Sequence, residues 1–354
     1  MPTFRRLARA PLAVLVAVLL VLAVGLPAGA HGRHRDGLTV MTQNLYAGAD
    51  FNRVLGAATP LEFLIAGAGL YATVISSNFP ARAAAIAHEI DDSDADLIGL
   101  QEVSKWTATG TGAPPSFDFL EILLQALASR GLDYSVAAVS DNLTVGPLPL
   151  LLCPGPIGTC LLSYHDRDVI LVNNDSRRLR ISNPQSGHYA AQQIVTTAVG
   201  GLNFARGWAS VDGSFDGERF RLVTTHLEIE GYPAIQEAQA TEFLAGPAHV
   251  RGSVIAVGDF NSAADGSTTQ SYAELTNSFF EDAWRINRHD PGFSCCQNET
   301  LSNPTSLLAS RIDLVLTHDA RAAEIELVGD APFQTSSPLW TSDHAGLAAE
   351  VRLH

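Results

Sequence analysis

Several polar residues of this 354-residue chain sit where burial costs them most. Asp259 and Asn261 stand in Gly258-Asp259-Phe260-Asn261-Ser262, directly after the apolar run Val254-Ile255-Ala256-Val257. Asp313 lies inside Arg311-Ile312-Asp313-Leu314-Val315-Leu316, and Glu102 and His226 close two further apolar runs. An Asx turn would account for Asp259 and Asn261 alone, because both side chains bond their local backbone well. A buried carboxylate is expensive unless paired, so Asp313 calls for a partner, and a histidine is the natural one. Carboxylates and amides supply oxygen ligands for a hard divalent cation, and imidazoles move protons near neutral pH.

Such a set works only if rigid elements bring it together, and strand ends are suitable platforms. Residues 38–42 read as a strand ending at Gln43-Asn44, and residues 96–100 as a buried strand delivering Gln101-Glu102. Helical patterns cover residues 60–76, 80–91, 117–130 and 233–245, the second with Pro80 in its first turn. Strand patterns appear near residues 134–139, 168–173, 193–199, 206–212, 219–226, 253–260, 312–317, 323–328 and 345–351, with a hairpin turn at Asp216-Gly217. Many strands and few crossover helices imply an α+β fold, a four-layer α/β/β/α sandwich of two packed mixed sheets flanked by helices.

Arg5, Arg6 and Arg9, the apolar run 11–26 and Ala28-Gly29-Ala30 read as a signal peptide over residues 1–30, with an uncleaved anchor as the alternative. Residues 31–354 carry no linker, charge block or repeat and are expected to form one secreted, monomeric domain. The three leader arginines leave 19 basic against 37 acidic side chains, a net charge near −18. Stable nucleic-acid binding is not expected of such a surface, since it relies on Lys and Arg replacing counterions. The cysteines suit disulfides, either Cys153–Cys160 with a vicinal Cys295–Cys296 pair or two cross-links between those loops.

In order along the chain, Thr42-Gln43-Asn44, Leu100-Gln101-Glu102-Val103, Thr224-Thr225-His226-Leu227, Gly258-Asp259-Phe260-Asn261, Arg311-Ile312-Asp313 and Ser342-Asp343-His344 resemble the motifs of the endonuclease/exonuclease/phosphatase superfamily. The match spans residues 38–352. The resemblance implies a DNase I-like fold and hydrolysis of phosphate esters by activated water. It implies Mg²⁺ or Mn²⁺ held by Glu102 and Asn44 with help from Asp343 or Asp259, since a hard ion needs few carboxylates and keeps several waters. His344 is then the base, oriented by Asp313. Asp259 and Asn261 position water or phosphoryl group, and His226 donates to a phosphoryl or leaving oxygen.

Arg206 could contact phosphate bidentately or sit in a surface ion pair. Arg167, between Asp166 and Asp168, could reach the cleft or join a solvated charge cluster. Gln239 matches a family glutamine of structural role. Residues 48–80 form a helical insertion that could cover the cleft, touch lipid transiently or pack, and packing is the default for apolar residues at helical spacing. The expected substrate is a phosphodiester of a small molecule or phospholipid. An extracellular nuclease is the main alternative, and a non-catalytic binding module of the same fold is a weaker one, because every expected polar position is filled.

Overall fold

Leu38, Val40 and Met41 show how the strands divide their side chains, because successive residues face opposite sides of a sheet. Leu38 and Val40 enter a cluster between two sheets, while Met41 enters a cluster with helices. The computed structural model describes residues 36–354, so the expected signal peptide lies outside the described residues.

β1 (Leu38–Asn44) leads to a short α1 (Asn52–Leu55), then α2 (Pro60–Ser76) and α3 (Phe79–Ser93). Next come β2 (Leu97–Gln101), β3 (Lys105–Gly110), β4 (Phe117–Asp118) and α4 (Phe119–Ser129). A long hairpin of β5 (Tyr134–Pro149) and β6 (Cys160–Asn173) precedes β7 (Leu179–His188) and a small hairpin of β8 (Gln193–Thr197) and β9 (Gly200–Phe204). β10 (Gly207–Phe215), β11 (Glu218–His226), α5 (Pro233–Ala245), β12 (Ser253–Asp259) and α6 (Ser271–Ser278) follow. β13 (Glu281–Asp282), β14 (Asp313–His318), β15 (Ala320–Val328) and β16 (Gly346–Leu353) complete the order.

One sheet runs β15-β16-β1-β2-β6-β3-β4, with β5 also paired to β6; the second runs β13-β14-β12-β11-β10-β7. Both are mixed, since β1–β2 and β11–β12 are parallel within otherwise antiparallel ladders. Leu38, Val40 and Ile170 of the first sheet meet Leu222, Ile255 and Val315 of the second. The outer face of the first sheet packs on α2, α3 and α4 through Phe63, Ile86 and Leu123. That of the second packs on α5 and α6 through Phe243 and Leu275. The result is the four-layer sandwich expected from the sequence. Gly99 marks a close approach of the sheets: a Cβ there would lie 2.5 Å from Val257 Cγ2 and 2.6 Å from Thr224 Oγ1.

The hairpins depart most from the sequence reading. β5 and β6 extend far beyond the two core segments expected of them, and the 193–199 segment supplies one strand of a hairpin, β8 with β9, in a sheet of its own. β7 carries almost no buried side chains, so it lacks the apolar pattern that reveals a strand. The cysteines take the first of the two pairings, Cys153–Cys160 and the vicinal Cys295–Cys296. Within the insertion, Phe63, Leu70, Tyr71 and Val74 pack into the core while Leu61 and Ile65 stay exposed.

Candidate active site

Parallel pairing of β1 with β2 sets Asn44 opposite Gln101, one residue before Glu102. Parallel pairing of β11 with β12 sets His226 opposite Asp259, and antiparallel β14 sets Asp313 opposite Asp259 from the other side. His344 arrives just before β16, the partner of β1. Ladder register thus carries residues 300 positions apart in sequence to one end of the sandwich. Gly258 supports this approach, because its φ of +151° and a Cβ–Thr225 O distance of 2.0 Å leave no room for a side chain.

Asp259 is the hub. Its Oδ2 accepts from Asn44 Nδ2 at 3.1 Å and lies 3.5 Å from His226 Nε2 and 3.9 Å from His344 Nε2. Its Oδ1 accepts the Asn261 backbone N–H at 2.9 Å, and Asn261 Nδ2 donates to the Leu227 carbonyl at 3.0 Å. His344 Nδ1 donates to Asp313 Oδ2 at 2.8 Å, so that in the neutral imidazole Nε2 is the lone-pair nitrogen. The exposed Cys296 places its sulfur 3.9 Å from that Nε2, so the vicinal disulfide stands at the mouth of the site. Asp259, Asp313 and His344 bring their ligand atoms within 4.8 Å of one another.

Glu102 has a left-handed φ of 54° just past β2, which turns its carboxylate back toward β1. There it accepts from Asn44 Nδ2 at 3.1 Å and from the Ala47 N–H at 2.6 Å. Asn44 Oδ1 accepts the Tyr46 N–H, and its Nδ2 orients the carboxylates of Glu102 and Asp259. Asp343 and Glu102 line the same cavity, of about 420 Å³.

Burial, followed by Asp343 and Asp166, pushes the Glu102 pKa up to about 7. Burial and Asp313 push Asp259 up to about 6. For His344, burial acts downward, but the carboxylates of Asp313, Asp343 and Asp259 override it and hold the pKa well above the usual range. His226 goes the other way: burial, then the positive charges of Arg206 and His344, drive it well below 6.5. The two imidazoles are therefore tuned in opposite directions, His226 toward its neutral form and His344 toward its charged one. His226 Nδ1 is buried with no hydrogen-bond partner among the described residues.

The two arginine candidates separate. Arg206 lines the cavity, 3.7 Å from Glu228 Oε1. Arg167 does not reach the cleft: its Nε donates to the Val103 carbonyl at 3.0 Å and its Nη2 to Asp118 Oδ1 at 2.6 Å. This corrects the expectation that it could contact substrate, and equally the solvated alternative, since its side chain is only 11% exposed. The reason is strand periodicity. Tyr164, Asp166 and Asp168 share the buried face of β6, and Arg167 falls on the other. Asp166 is accordingly a cavity residue that the sequence reading had only as a flank of Arg167; alternation along β6 was the signal that would have found it.

Arg82 of α3 was also missed. Fully buried, it donates to the backbone carbonyls of Leu45, Tyr46 and Thr341 at 2.7, 3.2 and 3.0 Å, tying the loop after β1 to the segment that carries Asp343 and His344. Nothing distinguishes it in sequence from a surface arginine on a helix. Gln239 has the structural role expected of it, accepting from the Glu228 N–H at 2.7 Å and donating to the Ala191 carbonyl at 2.9 Å.

Residues 41–344 match the Endonuclease/Exonuclease/phosphatase family. No curated protein matches the chain. Among solved structures, an endonuclease/exonuclease/phosphatase family protein from Bacteroides thetaiotaomicron is similar at 16% identity and a TM-score of 0.58, over 91% of this chain and all of that one. A truncated Caenorhabditis elegans TDP2 is similar at 16% identity and a TM-score of 0.51, over 90% of this chain and 98% of its own. The Bacteroides thetaiotaomicron mannosyl-6-phosphatase is similar at 16% identity and a TM-score of 0.54, over 89% and 99%. At these identities the structures show a shared fold.

Proposed function

The chain belongs to the endonuclease/exonuclease/phosphatase family, a family of phosphoester hydrolases, and from that premise we propose that it is an exported, divalent-metal-dependent phosphodiesterase acting on a small-molecule or phospholipid diester. The observation that carries the reading is the polarised pair of histidines on either side of Asp259, one held by a buried carboxylate and the other neutral.

The cavity fits a hard cation. Asp50, Glu102, Asp166, Glu228, Glu299 and Asp343 line it, and Arg206 is the one cationic side chain among the lining residues. All the donors are oxygen, the ligand type that Mg²⁺ and Mn²⁺ prefer. Glu102 and Asp343 would hold the ion, with Asn44 fixing the Glu102 carboxylate. When bound, it supplies charge neutralisation for the phosphoryl oxygens.

His344 Nε2 takes a proton from water while Asp313 keeps the imidazole in the productive tautomer. The water oxygen bonds to phosphorus as the bond to the leaving oxygen breaks, and the departing alcohol takes up one proton in exchange. Neutral His226 donates a hydrogen bond to a phosphoryl or leaving oxygen, and Arg206 contacts the phosphate. Asp259 and Asn261 orient the water or the phosphoryl group.

Export is supported by the N-terminal sequence pattern and by two disulfides, which persist in oxidising compartments. The test is nitrophenol release from bis-(p-nitrophenyl) phosphate with Mg²⁺ or Mn²⁺, abolished by a chelator. Glu102→Gln should lose at least about a hundredfold, the scale of removing a key electrostatic group, with partial recovery at high metal. A wild-type rate for Glu102→Gln would remove Glu102 from the site, and absence of diester hydrolysis with either metal would defeat the proposal.

A further inference from the structure

The cleft does not end at its polar residues. Phe51, Leu55, Leu143, Tyr164 and Phe204 line the 420 Å³ cavity on one side and, on the other, a second cavity of about 70 Å³. Beyond them the second cavity is walled by Phe63 and Leu64 of α2, Leu148 and Leu150 of the β5–β6 hairpin, and Leu202 of β9. No charged residue lines it. Polar groups thus converge at one end and an unbroken apolar wall continues from them, the usual division of labour in a small-molecule site. Some of the wall comes from elements outside the two main sheets: α1 and α2 make up the insertion, and β9 belongs to a separate two-stranded sheet.

From this continuity we propose that the 70 Å³ cavity binds an alkyl chain of an amphiphilic phosphodiester whose phosphate sits in the polar cleft. The inference rests on the phosphodiesterase reading and gives it a substrate class. The volume has room for about five waters, which suits a single short alkyl segment. The walls are already in place and packed on the core through Phe63 and Trp106, so the chain enters a preformed slot. α2, the loop joining β5 to β6, and β8, the partner of β9, carry the exposed apolar side chains Leu61, Ile65, Leu152, Ile157 and Ile194, which suits a protein that meets its substrate as an amphiphile.

Gly67 makes the idea testable. It lines the apolar cavity from α2, and a Cβ there would meet nothing within 4 Å, so a large side chain can grow into the slot without displacing backbone. The substrates are the methyl, butyl and hexyl esters of p-nitrophenyl phosphate, all used as monomers with Mg²⁺ or Mn²⁺. Each fully buried methylene is worth about 0.8 kcal/mol, roughly fourfold in binding. With partial burial, kcat/KM should rise at least about tenfold from methyl to hexyl. In Gly67→Phe the hexyl-to-methyl ratio should fall to about one, and Leu202→Trp, from the opposite wall, should lower it independently of how well Gly67→Phe folds. A flat series in the wild-type protein, with the methyl ester turned over, overturns the alkyl slot and leaves the phosphodiesterase standing. A steep series that survives both substitutions places the chain elsewhere and also overturns it. No turnover of any ester removes the phosphodiesterase reading and the slot together.

Discussion

His344 acts as a base only when it is neutral, so activity should fall as pH drops through its pKa. Burial acts to lower that pKa, while Asp313, Asp343 and Asp259 raise it further than burial lowers it. Asp313→Asn removes one of those negative charges and replaces an acceptor-only carboxylate with an amide that can also donate, so the Nδ1–H tautomer is no longer enforced. Its kcat should fall by at least about tenfold as the tautomer is lost, while the acidic limb of kcat/KM moves to lower pH. A limb that stays in place would show that the limb belongs to another group. His344→Ala and the double variant should have nearly equal rates, because residues acting as one unit are not additive; full additivity would separate the pair. The arginines offer a second contrast. Arg206→Met should raise KM or lower kcat for any phosphodiester. Arg167→Met should leave kcat/KM within about threefold and reduce stability by about 1–3 kcal/mol, the cost of orphaning a charged hydrogen-bonding partner, read by denaturant unfolding. Asp118, whose pKa Arg167 and Lys105 lower against the opposing effect of burial, contributes stability above its unfolded pKa that is lost as pH falls through its folded one. The deficit of Arg167→Met should therefore shrink in acid.

At the scale of elements, the site depends on α3 as much as on the strands. Arg82 reaches from that helix to three carbonyls on two separate segments and lies over the rings of Phe79 and Phe119. Burial lowers its pKa to about 10, with Asp343, Tyr46 and Glu102 acting in the opposite direction, so it remains charged at neutral pH. Arg82→Met keeps the bulk and deletes the ties. We expect a loss of about 3–5 kcal/mol, as when a buried charge and its partners are separated, together with a fall in kcat larger than any change in KM, since it positions the Asp343–His344 segment without touching substrate. Wild-type unfolding midpoints for Arg82→Met would show that the loop after β1 holds itself in place.

For the molecule as a whole, net charge governs which substrates arrive. A net charge of −15 over the full sequence gives little long-range attraction to a nucleic-acid backbone, whereas a small diester or a zwitterionic head group needs only the local site. Turnover of a small diester should exceed that of duplex DNA at equal phosphate concentration and physiological salt. Rapid plasmid degradation that weakens steeply between two ionic strengths would identify a nuclease instead. The cleft agrees with this order in having a single arginine among its lining residues and no lysine.

Much of the site could be read directly from the chain, because its members lie on strand ends and carry local signatures: Asp313 inside an apolar run, Asp259 and Asn261 after a glycine, His344 after an acidic residue. Burial periodicity likewise determines two sheets with helices outside, since alternating side chains must cover both faces. What the one-dimensional pattern leaves open is direction. Whether Arg167 or Asp166 faces the cleft depends on which side of β6 meets the core, and that is settled by pairing partners far away in sequence. Arg82 and the alkyl-sized slot are further out of reach. An arginine becomes a buried clamp only when two distant segments present bare carbonyls to it, and a cavity exists only where helices and hairpins from separate parts of the chain pack without quite meeting.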